Sequence, residues 1–414
     1  MQRQVKAGGR PFTEGITMEV DYAELALVGQ VVTRQQGHVT AIRAYVMNTC
    51  GIPSGEMGLL LQAVYPLSAA AVSLGGRALR AVESVVEWGA RATHDTVDAY
   101  LAADVAAHQD FSRVMAELGE SLRSYPDPRE IPPTLGGAQS RAASTYGEMP
   151  AWGGGEGLKN LFGGSLADAQ EGVSGWRGGS VGVVERSDAS SYLVLPHPGE
   201  TFVDDLRRGA APLLGSVDWL AEQLLGFSIL EECITTPLSG DWQAIGSAAG
   251  GWSHAGRALR EVAGNLSQLP EQVTTWQGRA ADAFRATILT VSEAVVGLSA
   301  ACDDVSGLLS AIGSVAQEAC ALIAQLLELI AEKLLRLALE ASVPGVGGVV
   351  TGGDTLSGVR EIRGWVTKIN RALSLILDAI EGFADAREKL LPAVRVLEDL
   401  AEYVGQKTAG SVVS

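Results

Sequence analysis

Cationic side chains are outnumbered in this sequence. Its 31 Lys and Arg stand against 48 Asp and Glu, a formal net charge of −17, and aromatic residues make up only 6%. A surface of that sign repels phosphate backbones, which argues against a nucleic-acid partner. The negative charge is spread along the chain rather than gathered in an acidic tail. Cysteine is also scarce, at four residues with no CxxC pair. Cys302 and Cys320 fall on one expected helix, about 27 Å apart at its rise per residue. A disulfide needs Cα atoms within about 7 Å, so no framework forms between them. Cys302 reads as a small residue in a helix seam; the other three carry no assignment.

Uninterrupted apolar runs are missing as well. The most apolar stretch, ACALIAQLLELIAEKLLRLALEA, is broken by Gln325, Glu328, Glu332 and Lys333. It reads as a buried or paired helix, so no transmembrane helix is expected. The N-terminus lacks a charged region followed by an apolar core and cleavage site, so no Sec signal peptide is expected. Residues 1–17 read as a disordered lead, with Met18 a candidate functional start. His94, His108 and His254 fall on expected helices. His94 shares a face with Asp98, and Asp104 with His108, but no third ligand converges, so no metal or cofactor is called for.

What is present is helical periodicity. At 414 residues, two to three domains are expected. The chain is organised around residues 240–341. Ile245, Ala249, Trp252, Gly256, Leu259, Val262, Leu266 and Leu269 step by three and four, one face of an amphipathic helix, and Pro270 ends it. The step resumes at Phe284 and continues through Ile288, Val291, Val295, Leu298, Cys302, Val305, Leu309 and Ile312. A sustained three-four step is a coiled-coil seam. Between the two helices stands Trp276-Gln277-Gly278. Gly278 can take a positive φ at a helix end, and Trp276 can close the bundle over a large apolar area.

A second hairpin is expected over 18–122. Asp21 can cap its first helix, with Glu24 as a capping-box partner. Leu25, Val28, Val32, Gln35, Val39, Ile42 and Val46 form the seam, Gln35 being its one polar member. Gly51, Pro53 and Gly55 make a turn. Leu59–Leu61 read as a short helical piece, Pro66 as the first turn of the next helix, and Gly75-Gly76 as a weak point in it. Tyr100 and Asp104 stand four apart near the end of this hairpin, so ring and carboxylate share a face.

These features carry a resemblance. The long helices, the Trp276-Gln277-Gly278 turn and the restart RAADAF look like the WXG family of type VII (ESX) secretion substrates. The lead-in LEECITTPLSGDW resembles larger actinobacterial members and the trafficking regions of secreted toxins. The opening VDYAEL and the ending DTVDAYLAADVAAHQDF of the first hairpin resemble the EspC-like family of the same class. Tyr100 and Asp104 match the Tyr-Xaa-Xaa-Xaa-Asp spacing of the general export signal. A second Trp-Xaa-Gly, at Trp176-Arg177-Gly178, has no helical step on either side and is read as chance.

Residues 123–200 read as a Pro/Gly-rich linker with too little apolar content to fold alone. Gly178-Gly179-Ser180-Val181-Gly182 formally matches a nucleophile elbow, but no strand, helix or acid and histidine partners accompany it, and His197 precedes Pro198 in a loop. No enzymatic activity is expected. YLVLP at 192–196 reads as a short extended piece. Residues 201–341 hold lead-in helices, with Trp219 expected in a core, and then the WXG-type hairpin. In 342–404, SVPGVGGVVTGGD reverses the chain without the Lys-Ser/Thr of a phosphate loop. The return helix steps through Ile362, Val366, Ile369, Leu373, Ile376, Ile380 and Phe383. Pro392 kinks or ends it, and 405–414 is a tail.

The expectation is all-α: two long helical hairpins packed as a four-helix bundle, with an extended antiparallel coiled-coil hairpin at the C-terminal end. The resemblance implies a non-enzymatic, exported or cell-surface protein in which the two hairpins pair with each other and the Trp276 turn lies at the same end as Tyr100 and Asp104, so that Tyr100, Asp104, Trp276 and Gly278 present a composite export signal. Its partners would be the type VII machinery with its export ATPase, and a small WXG-type partner or chaperone. A channel-forming or membrane-active role is the alternative, since some large relatives are so described.

Overall fold

A computed structural model describes residues 21–55, 57–117, 135–138, 183–198, 206, 210, 216–342 and 352–411. Most of the described residues are helical, with no strand among them. The long helices are α1 (Tyr22–Thr49), α2 (Leu59–Glu117), α3 (Ser216–Leu225), α4 (Gln243–Gln272), α5 (Arg279–Ser342) and α6 (Gly352–Ser411). A π-helical turn at Glu231–Thr235 precedes α4.

Hydrogen bonds and close contacts give the direction of each pairing. α1 and α2 run antiparallel: Tyr22 meets Asp104, Thr40 meets Glu83, and Met47 lies against Gly76. α1 and α4 are antiparallel too, through Gln35 with Asn265 and Tyr45 with His254. α4 and α5 are tied by a ladder. Ser292, Ser299 and Ser306 each donate to a backbone carbonyl of α4, those of Ala263, Gly256 and Ala249, at 2.8–2.9 Å. Both sets step by seven, so small residues face hydroxyls at every other turn of a heptad seam and the backbones approach closely. α6 returns along α5, with Lys333 bridging Glu361 at 2.7 Å, and also packs against α2, where Arg77 forks onto Glu398.

The expected seams are buried. Leu25, Val28, Val32, Gln35, Val39, Ile42 and Val46 on α1 are fully covered, as are Ile288 through Ile312 on α5 and Ile362 through Phe383 on α6 at their seam positions, with Leu373 half-buried.

Several local expectations are corrected. Pro66 lies inside α2, which starts at Leu59. Its ring removes one helical donor, but Leu61 and Val64 before it and Ser68 and Ala71 after it are all buried, and that packing carries the helix through. Gly75-Gly76 does not interrupt α2 either. A Cβ at Gly75 would stand 2.7 Å from the Trp252 ring, and one at Gly76 2.7 Å from the Met47 sulfur. Glycine is there for close approach rather than for a break. Pro270 sits in the last turn of α4, and α6 continues past Pro392 to Ser411, so the last helix extends through most of the expected tail. Trp219 is 60% exposed on α3, not in a core.

Residues 183–198, placed by composition in the linker, lie in the groove between α1 and α4. This strap runs alongside α1. Its Val184 amide donates to Gln272, those of Arg186 and Ser187 to Asn265, and Tyr45 donates to the Val194 carbonyl. The second Trp-Xaa-Gly and the nucleophile-elbow match at 178–182 lie outside the described residues.

Candidate functional site

Three parts of the chain converge at the end of the molecule where α1 begins. The first is the turn between α4 and α5, which carries Trp276 and Gly278. The second is the start of α1, with Asp21, Tyr22 and Glu24. The third is the late part of α2, with Tyr100 and Asp104.

The turn is pinned from both sides. Glu24 accepts from the Thr274 amide at 2.8 Å, from the Thr275 amide at 3.1 Å and from the Thr275 hydroxyl. The Asp21 amide donates to the Thr275 hydroxyl at 3.3 Å. Asp21 does cap α1, its carboxylate accepting from the Ala23 and Glu24 amides. Glu24, however, reaches across to the turn instead of closing a capping box. The reason is geometric: two amides and two hydroxyls present themselves to one carboxylate, more donors than the helix start offers. From the other side, Arg285 donates to the carbonyls of Trp276 at 2.7 Å and Val273 at 3.2 Å. Gly278 has φ +104°, a region that costs any residue with a Cβ, and its carbonyl accepts the Asp282 amide to open α5.

Trp276 is 2% exposed and among the largest fully buried side chains. Its ring lies 5.3 Å from Phe284, tilted by 45°. The indole N–H points at the Tyr100 hydroxyl, 3.4 Å away. Four residues on, Asp104 accepts a 2.6 Å hydrogen bond from the Tyr22 hydroxyl. The expected motif residues Trp276 and Tyr100 thus touch, although 176 positions separate them in sequence. The indole itself is covered, so it shapes this end of the molecule from beneath. The half-buried phenol and the exposed Asp104 are what solvent meets.

A groove of about 970 Å³ opens beside this cluster, between α1 and α2. Tyr22 forms one end of it. Ala26, Gly29 and Thr33 on α1 face Ala90, Thr93 and Val97 on α2, so its floor is made of small side chains. Glu87, Arg91, His94 and Asp98 stand along its rim. His94 lies 3.3 Å from Asp98, both well exposed.

A second polar cluster was not legible beforehand. Glu185 of the strap is 6% exposed and accepts from Arg34 and Gln35 at 2.5 and 2.6 Å. Asn265, 1% exposed, accepts from the Arg186 and Ser187 amides and donates to the Ser187 carbonyl and to Gln35. Glu261 accepts from Ser187 and Tyr192. These pairs give the Val184, Arg186 and Ser187 amides acceptors on α4, which is what laying backbone against two helices requires. His38 lies beside it, 3.4 Å from Asp188. Burial holds its imidazole below the ordinary value, against the pull of Glu185 and Asp188. Burial alone would raise the Asp188 carboxyl; the Ser190 hydroxyl and amide, with His38 and Arg34, outweigh it and hold it low. Gln35, a polar interruption in an apolar seam, was the one sequence sign of this cluster.

All four cysteines are buried and free. Burial raises the Cys233 thiol to about 11 and the Cys320 thiol to about 12, so neither is a thiolate near neutrality. Among the described residues no group of three or more His, Cys, Asp and Glu is placed to hold a metal ion. By length and composition α2 and α5 are each apolar enough to cross a membrane, against the expectation from the interrupted run; half of the relevant stretch of α2 is buried inside the protein, and 39% of that of α5.

No family model, no characterised protein and no solved structure matches the chain.

Proposed function

We propose that this chain is a substrate or trafficking module of a type VII (ESX) secretion system, acting by recognition and not by catalysis. In this reading α1–α2 is the EspC-like hairpin and α4–α5 the WXG-type hairpin, and the two form a four-helix bundle within one chain. Covalent linkage then takes the place of the separate partner, because it raises the effective concentration of one hairpin at the other. The observation that carries the reading is the contact of Trp276 with Tyr100. A WXG-type turn and a Tyr-Xaa-Xaa-Xaa-Asp pair meeting at one end is the juxtaposition a bipartite signal needs. Tyr100, Asp104 and Tyr22 would form the surface that the export ATPase reads, with Trp276 and Gly278 holding its shape. The small-floored groove between α1 and α2 starts at the same tyrosine and suits a helix from a chaperone or small WXG-type partner.

The test is secretion from a host with an active type VII system. Protein should accumulate in the medium when the ATPase is intact and stay in the cells when its nucleotide site is inactivated. Equal release in both strains would remove the export reading.

A further inference from the structure

α6 carries two stripes of the same period on opposite faces. The inner one is the buried seam from Ile362 to Phe383. Two residues after each of its first six members stands a member of an outer one: Gly364, Lys368, Arg371, Leu375, Asp378 and Gly382. Two residues turn a helix by more than half a revolution, so the outer stripe faces away from the inner. All six of its residues are exposed. Leu375, near its middle, is 57% exposed, and Leu322 on the neighbouring α5 is 43% exposed. A hollow of about 520 Å³ opens between these two leucines, lined also by Lys368, Arg371, Ala372 and Ser374.

The charges along the outer stripe are sorted. Lys368 and Arg371 precede Leu375, Asp378 follows it, and Glu381 flanks Gly382. Among the described residues none of these four charged side chains has an ion-pair partner within the chain. A stripe sorted in this way fits itself in one direction only. Two copies laid parallel set Lys368 against Lys368 and Asp378 against Asp378, which repels. Laid antiparallel, they set Lys368 opposite Asp378 of the second copy, Gly364 opposite its Gly382, and Arg371 opposite its Leu375. Each of these pairs is centred on Leu373, so one two-fold axis satisfies all of them and each pair occurs twice. Arg371 then lies within one turn of the second copy's Asp378 as well. A Cβ at Gly364 or Gly382 would have nothing within 4 Å, so both ends of the stripe leave room for another helix. The chain as a whole carries a net charge of −17 and repels its own copies, and a cationic stretch beside an acidic one is where two copies can approach.

We propose that two copies of this chain associate through the outer face of α6, antiparallel and about a two-fold axis at Leu373. This does not depend on export. The contact runs from Gly364 to Gly382, about 27 Å of helix. One helix face is a small interface, so the dimer dissociates on dilution.

Sedimentation equilibrium of the full chain over a range of concentrations tests it. The wild type should pass from monomer to dimer. Lys368→Glu/Arg371→Glu makes the stripe wholly acidic, and Asp378→Lys/Glu381→Lys makes it wholly basic. Each variant alone should dimerise at least about tenfold more weakly, because like charges then meet twice. Mixed in equal amounts, the two should form a heterodimer. All four positions are exposed, so the melting of both variants should stay close to wild type. Leu375→Ser changes no charge and should also weaken the wild-type dimer. A nitroxide on Leu356→Cys reads the direction, since Leu356 is 66% exposed and the native cysteines are buried. The two labels should lie about 50 Å apart, the rise of the helix from Leu356 to Leu373 counted twice. A wild type that stays monomeric overturns the proposal, as do charge variants that dimerise like the wild type. So do a mixture that fails to associate and labels within about 20 Å, where parallel helices would hold them.

Discussion

At the scale of single residues, the informative positions are polar ones held across elements. Glu24 accepts four hydrogen bonds from Thr274 and Thr275, two of them from backbone amides. Glu24→Ala leaves those amides to water or to nothing, so it should cost about 1–3 kcal/mol in urea unfolding. A loss near zero would mean that the turn holds itself. Asn265 serves the strap in the same way. Asn265→Ala orphans the Arg186 and Ser187 amides, and hydrogen exchange at those two positions should accelerate before the helices are affected. Uniform acceleration across α4 would instead mark a general loss of stability. His38 supplies a pH dependence. Its imidazole is held below 6.5 by burial. The unfolded chain therefore takes up that proton first as pH falls through about 6.5, and the folded chain later. This contribution to stability is present above that pH and declines below it. His38→Gln should flatten the fall in stability between about pH 7 and 5 relative to wild type, and parallel curves for the two proteins would exclude His38 as a source.

At the scale of elements, periodicity was the strong signal. Apart from the half-buried Phe284 and Leu373, the seams of α1, α4, α5 and α6 follow the three-four step, because a heptad pattern records which face is dry. Proline and glycine misled where their local preference met packing. Pro66 and Pro392 lie inside helices, and Gly75 and Gly76 sit where Trp252 and Met47 come too close for a Cβ. The strap was illegible for another reason: its order comes from partners on α1 and α4 that are distant in sequence, while its composition resembles that of the linker around it. Close approach of α4 to α5 gives a paired test. A Cβ at Gly256 would stand 2.8 Å from the Asp303 carboxylate and 3.2 Å from the Ser299 carbonyl, whereas Gly297 has nothing within 4 Å. Gly256→Ala should destabilise by about 1–3 kcal/mol through forced displacement. Gly297→Ala should stabilise by up to about 1 kcal/mol through helix propensity. Equal effects at the two sites would show that the backbones are not in contact as the serine ladder requires.

At the scale of the whole molecule, two ends carry different chemistry. One end is polar and held together by Tyr22, Tyr100, Asp104 and the buried Trp276; the other is a helical hairpin with outward leucines. Trp276, Tyr100 and Asp104 were each legible as spacing in the sequence, and antiparallel hairpins put them at one end; that the indole is buried beneath Tyr100 while Asp104 pairs with Tyr22 depends on a register that no local pattern contains. The burial of the indole changes what its removal should do. Trp276→Ala removes a fully buried aromatic ring and should cost about 3–5 kcal/mol, so any export defect would be inseparable from unfolding. Tyr100→Phe keeps the ring and deletes only the hydroxyl that meets the indole. Asp104→Asn keeps the shape and deletes the charge at an exposed position. Both should melt close to wild type, within about 1 kcal/mol. If this end is read by the export machinery, both variants should reach the medium in reduced amounts while cellular levels and thermal midpoints stay unchanged. If Tyr100→Phe and Asp104→Asn are exported normally, then the meeting of Trp276 with Tyr100 closes the end of a helical bundle and does no more, and the signal lies elsewhere on the chain.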